Sequence, residues 1–257
     1  FKDDEEDRPR QASVLLTIAG WLTYGNDDFV LPFSTMEEGI YGEHYSLVWE
    51  SKVLLDLGSA LSLLVSEIAS FLVQQGLQAT VLSTLMIGLA GPLWTMKLSY
   101  LIDNPWGIGI SKASKVGKVL ADFLIQGVQE DRPITLVGYS LGARVIYHCL
   151  LELADRGAYG LVEEAYLFGC PVMASTKEWK SLSNVVSGRI INGYCENDMV
   201  LGILYRASTA VWSGVAGLRP IEGVPGVENI NLSEIVKGHL DYRVLLPQVL
   251  KIAGFST

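Results

Sequence analysis

The chain has three cysteines, three histidines and fewer basic than acidic residues. Cys149, Cys170 and Cys195 are odd in number and widely spaced, which excludes a disulfide framework and a cysteine zinc site. Each follows or lies within an apolar run, so buried free thiols are expected, in keeping with a reducing compartment. The 19 Lys and Arg against 28 Asp and Glu leave a formal net charge of −9, which argues against nucleic acid as a partner. No repeat, low-complexity linker or second domain is visible, and no secretory signal precedes the first apolar run. Part of the acidity lies in the opening F-K-D-D-E-E-D-R-P-R, read as a solvated acidic leader over residues 1–11. Residues 12–257 then form the single expected domain. The chain begins with Phe1 rather than Met, which points to a fragment or a processed form.

What the chain does have is apolar residues, 49% of the total, enough for a wide core. Runs suited to strands occur at Ala12–Ala19, His44–Trp49, Ile134–Val137, Val162–Phe168, Val185–Tyr194 and Val227–Leu232, and those at Ala12–Ala19 and Ile134–Val137 suit buried ones. Helical patterns lie between them: Ser51 to Leu72, Ala113 to Leu124, Ala143 to Leu150, Lys177 to Leu182, Leu201 to Val215 and Tyr242 to Ile252. Leu101–Trp106 reads as a turn cluster, because Asn104 precedes proline and is pushed away from helix. Alternating strands and helices predict an α/β fold: a mainly parallel sheet of about six strands with helices on both faces. The expected strand order is 2-1-3-4-5-6. An apolar helical segment spans residues 54–100. Within it, Ile68 to Met96 carries no charged residue. Three readings stay open for that stretch: buried helices beside the sheet, an apolar lid over a site, or a membrane-inserting hairpin. Gln74, Gln75, Gln78 and Pro92 interrupt any single clean span.

The third strand run feeds Gly138-Tyr139-Ser140-Leu141-Gly142, a G-x-S-x-G pentapeptide, and an amphipathic helix follows at once. That strand–turn–helix context is a nucleophile elbow. A serine hydroxyl is a weak nucleophile and needs a base, and the base needs an orienting acid. In α/β-hydrolases the chain order is serine, acid, histidine. His239 alone follows both the elbow and a later strand, so it is the expected base. His148 lies two turns into the elbow helix, facing away from the turn. His44 precedes the elbow and starts a strand. Asp198, just after the fifth strand, is the expected acid. It could also cap the helix that follows. Glu196 stays open as an alternative, and Asp241 is read as a cap for the last helix. Two backbone donors are expected for the oxyanion: the N–H of Leu141, and one from the loop at Gly20-Trp21 after the first strand. Trp21 suits either the rim of an acyl site or plain core packing. No metal or organic cofactor is implied.

Several further blocks make the sequence resemble the DUF726 family of α/β-hydrolase-like proteins. They are I-D-N-P-W at 102–106, R-P-I-T-L-V-G-Y-S-L-G-A-R-V-I at 132–146 and F-G-C-P at 168–171. V-S-G-R at 186–189, N-D at 197–198, Y-R at 205–206 and H-L-D-Y-R at 239–243 complete the set. The resemblance implies an α/β-hydrolase fold beside hydrophobic, membrane-associated segments, with Ser140 as nucleophile, Asp198 as acid and His239 as base. The two antiparallel edge strands that often precede the first parallel strand of such folds are not visible.

These readings point to a serine esterase or lipase, cleaving an acyl ester or lipid through an acyl-enzyme. The alternative that the resemblance implies is a hydrolase-shaped interaction protein, binding a trafficking partner or a membrane surface with little or no catalysis. Either is expected inside the cell, on the cytosolic face of a membrane.

Overall fold

A computed structural model describes residues 12–25, 28–34, 42–75, 99–130, 132–208 and 214–255. The acidic leader and most of the uncharged stretch, 76–96, lie outside the described residues. The sheet has six strands: β1 (Val14–Ile18), β2 (Glu43–Ser46), β3 (Ile134–Tyr139), β4 (Val162–Phe168), β5 (Ile190–Tyr194) and β6 (Val227–Asn231). They are all parallel, in the order β2-β1-β3-β4-β5-β6. This is the predicted order, and among the described residues no antiparallel edge strand is present. Every residue of β1, β3 and β5 is buried. Alternate side chains of a strand point to opposite faces. Full burial therefore means that both faces of the sheet are covered, as α/β-hydrolase architecture requires.

Among the described residues six α-helices accompany the strands: α1 (Ser51–Gln75), α2 (Gly107–Ile125), α3 (Leu141–Asp155), α4 (Thr176–Val185), α5 (Met199–Ser208) and α6 (Asp241–Ile252). In α1, Leu54, Leu57, Leu61, Leu64 and Ile68 are buried at helical spacing. Burying each of these side chains contributes about 1.5–3 kcal/mol. The 21 residues Ser51–Phe71 are long and apolar enough to cross a membrane by length and composition, yet this stripe packs them on the core. The central helix is α3, which buries Leu141, Val145, Ile146, Cys149, Leu150 and Leu153. It meets α2 so closely at Gly117 that an added Cβ would lie 2.5 Å from the Val145 carbonyl oxygen. All three cysteines are free and buried, as expected.

Two local expectations are corrected. Ile102–Trp106 is a π-helical turn with Pro105 inside it, and it runs directly into α2. The wider turn accommodates the proline, which has no N–H to give, and the Asn104 amide donates to the Tyr100 carbonyl at 3.0 Å. The helical run expected from Leu201 to Val215 is shorter. It is described over Met199–Ser208, and Val215 instead bridges Met173. Residues 209–213 lie outside the described set. The fifth strand likewise starts later than expected, because Val185 closes α4.

Candidate active site

Ser140 sits between β3 and α3 with φ 52° and ψ −122°. An L-residue held in this region carries about 1–3 kcal/mol of strain. The surroundings fix it: Ser140 N–H donates to the Phe168 carbonyl at 2.8 Å, and the Arg144 N–H donates to the Ser140 carbonyl at 3.1 Å. The backbone also leaves no room for side chains nearby. An added Cβ on Gly142 would lie 2.0 Å from the Ile18 carbonyl oxygen. One on Gly20 would lie 2.2 Å from the Tyr139 carbonyl oxygen, 2.7 Å from Ser140 Cβ and 2.9 Å from Leu141 N. The end of β1 and the elbow therefore touch backbone to backbone. That contact brings the Gly20-Trp21 loop beside the Leu141 N–H, the first of α3 and one without an intrahelical acceptor.

The parallel sheet brings the ends of β3, β5 and β6 to one edge, and three distant side chains meet there. Ser140 Oγ lies 2.7 Å from His239 Nε2, and His239 Nδ1 lies 2.6 Å from Asp198 Oδ2. With Nδ1 protonated toward the carboxylate, Nε2 accepts from the serine hydroxyl. Asp198 uses its other oxygen too: Oδ1 accepts the Leu201 N–H at 3.0 Å, so it also caps α5. Ser140 and His239 have no exposed surface and Asp198 is 1% exposed. The hydrogen-bonded chain is buried along its whole length.

The H-L-D-Y-R block does more than supply a histidine. Asp241 Oδ2 accepts the N–H groups of Lys237 at 2.8 Å and Gly238 at 3.0 Å. It braces the turn carrying His239, where the sequence suggested a helix cap. Tyr242 packs its ring edge-on to His239 at 5.9 Å and over Gly169, where an added Cβ would lie 2.6 Å from the ring. Its hydroxyl is buried with no partner among the described residues, and burial pushes the phenol well above its ordinary value. Trp21 is 1% exposed and lies 5.3 Å from the imidazole and 4.8 Å from Tyr139. The Trp21 ring is thus packed in the core directly beside the imidazole. Arg243 Nη1 at 3.4 Å and the Tyr139 hydroxyl at 3.3 Å both donate to the Trp21 carbonyl. Leu22 N–H is held by Leu54. One five-residue block thus ties the histidine turn to the loop after β1. Tyr139, Asp241, Tyr242 and Arg243 were missed as site residues, although the block itself stood out in the sequence.

The other candidates lie elsewhere. His44 belongs to β2, with Nε2 2.9 Å from Thr17 Oγ1. Glu196 faces Asn231 and Ser233. His148 is packed in α3, and burial, then Arg144 and Lys118, push its imidazole down to about 4. Among the described residues no three His, Cys, Asp or Glu side chains are grouped to hold a metal ion.

Similarity to known proteins covers nearly the whole chain. A membrane protein of Schizosaccharomyces pombe, named uncharacterized membrane protein C6F6.13c, is 45% identical over 96% of this chain and 32% of its own length. A Saccharomyces cerevisiae protein named probable lipase MIL1 is 44% identical over 96% of this chain and 23% of its own length. A Caenorhabditis elegans protein, uncharacterized membrane protein F35D11.3, is 42% identical over 94% of this chain and 40% of its own length. The chain therefore spans well under half the length of these relatives. No solved structure matches it. A family described as protein of unknown function (DUF726) matches residues 5–256. With that match over almost every residue, and with the α/β-hydrolase sheet already in view, the chain belongs to the DUF726 family.

Proposed function

We propose that this protein is a serine hydrolase of the carboxylesterase or lipase type. The observation that carries the reading is the unbroken pair of hydrogen bonds from Ser140 through His239 to Asp198. Ser140 Oγ attacks the ester carbonyl carbon while His239 Nε2 takes its proton. Asp198 orients the imidazole and stabilises its cation. The N–H groups of Leu141 and Trp21, with Gly20 permitting the close approach, receive the oxyanion. The tetrahedral intermediate collapses, the C–O bond to the alcohol breaks, and His239 passes its proton to the leaving oxygen. Water then adds to the acyl-Ser140 ester by the reverse proton path and releases the carboxylic acid. The chemistry asks for no metal or organic cofactor.

A relative named probable lipase favours an acyl ester or lipid as substrate. Relatives named as membrane proteins, and the apolar length of Ser51–Phe71, favour work at a membrane surface; the cytosolic face is part of the proposal. The test is hydrolysis of p-nitrophenyl esters of graded chain length. Activity lost in Ser140→Ala, His239→Ala and Asp198→Ala, with folding intact, supports the reading. Activity retained in Ser140→Ala overturns it.

One observation favours a second reading. Ser140 is wholly covered, so substrate enters only after covering groups move. A chain that never opens would be a hydrolase-shaped interaction protein, with a membrane surface or a trafficking partner as its ligand. No ester turnover under any detergent or vesicle condition would select that reading.

A further inference from the structure

Three sequence blocks outside the triad meet in one place. I-D-N-P-W supplies Trp106. The elbow helix supplies Arg144 and His148, and Y-R at 205–206 supplies Tyr205. All four line a cleft of about 440 Å³ between α2, α3 and α5. The cleft does not include Ser140.

Its polar groups are incompletely matched. Trp106 has no exposed surface, and its Nε1 has no hydrogen-bond partner among the described residues. His148 Nε2 is likewise buried and unpartnered. Buried polar groups in folded proteins are nearly always paired, so two orphan ring nitrogens on residues that line one cleft call for a partner. Arg144 gives the third sign. Its guanidinium donates to the carbonyls of Pro171 at 2.7 Å and Ile110 at 3.3 Å, and to Ser114 Oγ at 3.3 Å. All three acceptors are neutral. Of its five N–H donors, two stay uncommitted, and no carboxylate pairs with it among the described residues. Burial lowers its pKa, so the cation is desolvated without a counter-charge. Among the described residues one carboxylate lines the cleft, that of Glu178; it is exposed and accepts the Tyr147 hydroxyl at 3.0 Å.

We propose that this cleft is a second ligand site, which binds the anionic oxygen head group of an amphiphile, a carboxylate or a phosphate. Trp106 Nε1–H, which can only donate, and the free N–H groups of Arg144 receive the head. The neutral His148 adds a donor by choice of tautomer. Ile110, Leu151 and Tyr205 supply the apolar wall for the chain. The site is independent of the hydrolase reading.

The test is calorimetric titration of the Ser140→Ala protein below the micelle concentration of each probe. The probes are dodecanoate, dodecyl phosphate and dodecanol, with inorganic phosphate as competitor. Both anionic amphiphiles should bind saturably at one site. Dodecanol should bind at least tenfold more weakly. Trp106→Phe should weaken the anions by about tenfold or more, the worth of a hydrogen bond to a charged group. His148→Leu should weaken them in the same direction, and it stands in should Trp106→Phe fail to fold. Tighter dodecanoate points to a released acyl chain as the ligand. Tighter dodecyl phosphate, displaced by inorganic phosphate, points to a lipid head group. Dodecanol matching dodecanoate, absence of saturable anion binding, or both variants staying within twofold of the parent would overturn the proposal.

Discussion

Replacing Ser140 by glycine should leave the protein more stable than replacing it by alanine. Both substitutions remove Oγ and its hydrogen bond to His239, so their difference isolates the Cβ. At φ 52° and ψ −122° that Cβ carries about 1–3 kcal/mol of backbone strain. Glycine forfeits about 0.5–1 kcal/mol through its more flexible unfolded chain. The balance favours glycine by roughly 0.5–2 kcal/mol, or roughly 1–8 °C in melting temperature for a chain of this size. Ser140 is also the N-cap of α3, where glycine outranks alanine for ordinary reasons. Ser175 supplies the control, because it caps α4 at φ −79°, outside the strained region. The assay is scanning calorimetry of the four variants Ser140→Gly, Ser140→Ala, Ser175→Gly and Ser175→Ala. The glycine advantage at 140 should exceed that at 175 by about 1 kcal/mol or more. Equal gaps at the two positions would refute the claim that the turn is strained.

Other consequences can be checked together. Gly20→Ala places a methyl group 2.2 Å from a backbone oxygen. It should cost about 1–3 kcal/mol or more in denaturant titrations and abolish ester hydrolysis. Asp198→Asn keeps an oxygen for Leu201 but offers His239 an amide N–H, which favours the wrong tautomer. Its kcat should fall about 10³–10⁴-fold, measured on a soluble ester. Asp241→Ala frees the Lys237 and Gly238 N–H groups and should raise hydrogen exchange at both while lowering kcat. His148 is held near 4 against an ordinary 6.5. The unfolded chain binds this proton first, so stability falls as pH drops from about 6.5 to about 4 and then levels. The full effect is on the order of 3 kcal/mol. His148→Leu should remove that part of the pH slope in urea melts run at pH 4 to 7.

The fold was legible because its signals were local. Ile134–Val137 is an uncharged run suited to a strand covered on both faces, Val162–Phe168 is a strand run whose apolar part lies after Glu163 and Glu164, and G-x-S-x-G marks where a strand turns into a helix. Chain order then singled out His239 and Asp198, and those side chains do lie within hydrogen-bond reach of Ser140 and of each other. What stayed hidden depends on tertiary contact. Nothing in D-Y-R announces that Asp241 ties two N–H groups behind it, or that Arg243 reaches Trp21 across 222 positions. The turn expected at Asn104-Pro105 failed for a different reason: a π-helical turn takes in a proline that an α-helix would reject. Trp106 then lands in a cleft that no spacing in the sequence outlines.

The central claim is that the hydroxyl at 140 is an activated nucleophile. Incubation with a fluorophosphonate, then intact-mass analysis and peptide mapping, tests it most directly. The expected result is one adduct per chain, on the peptide containing Ser140, lost in His239→Ala as well as in Ser140→Ala. A folded protein that takes up no phosphonate in detergent or on vesicles, or that carries it on another residue, would contradict the account.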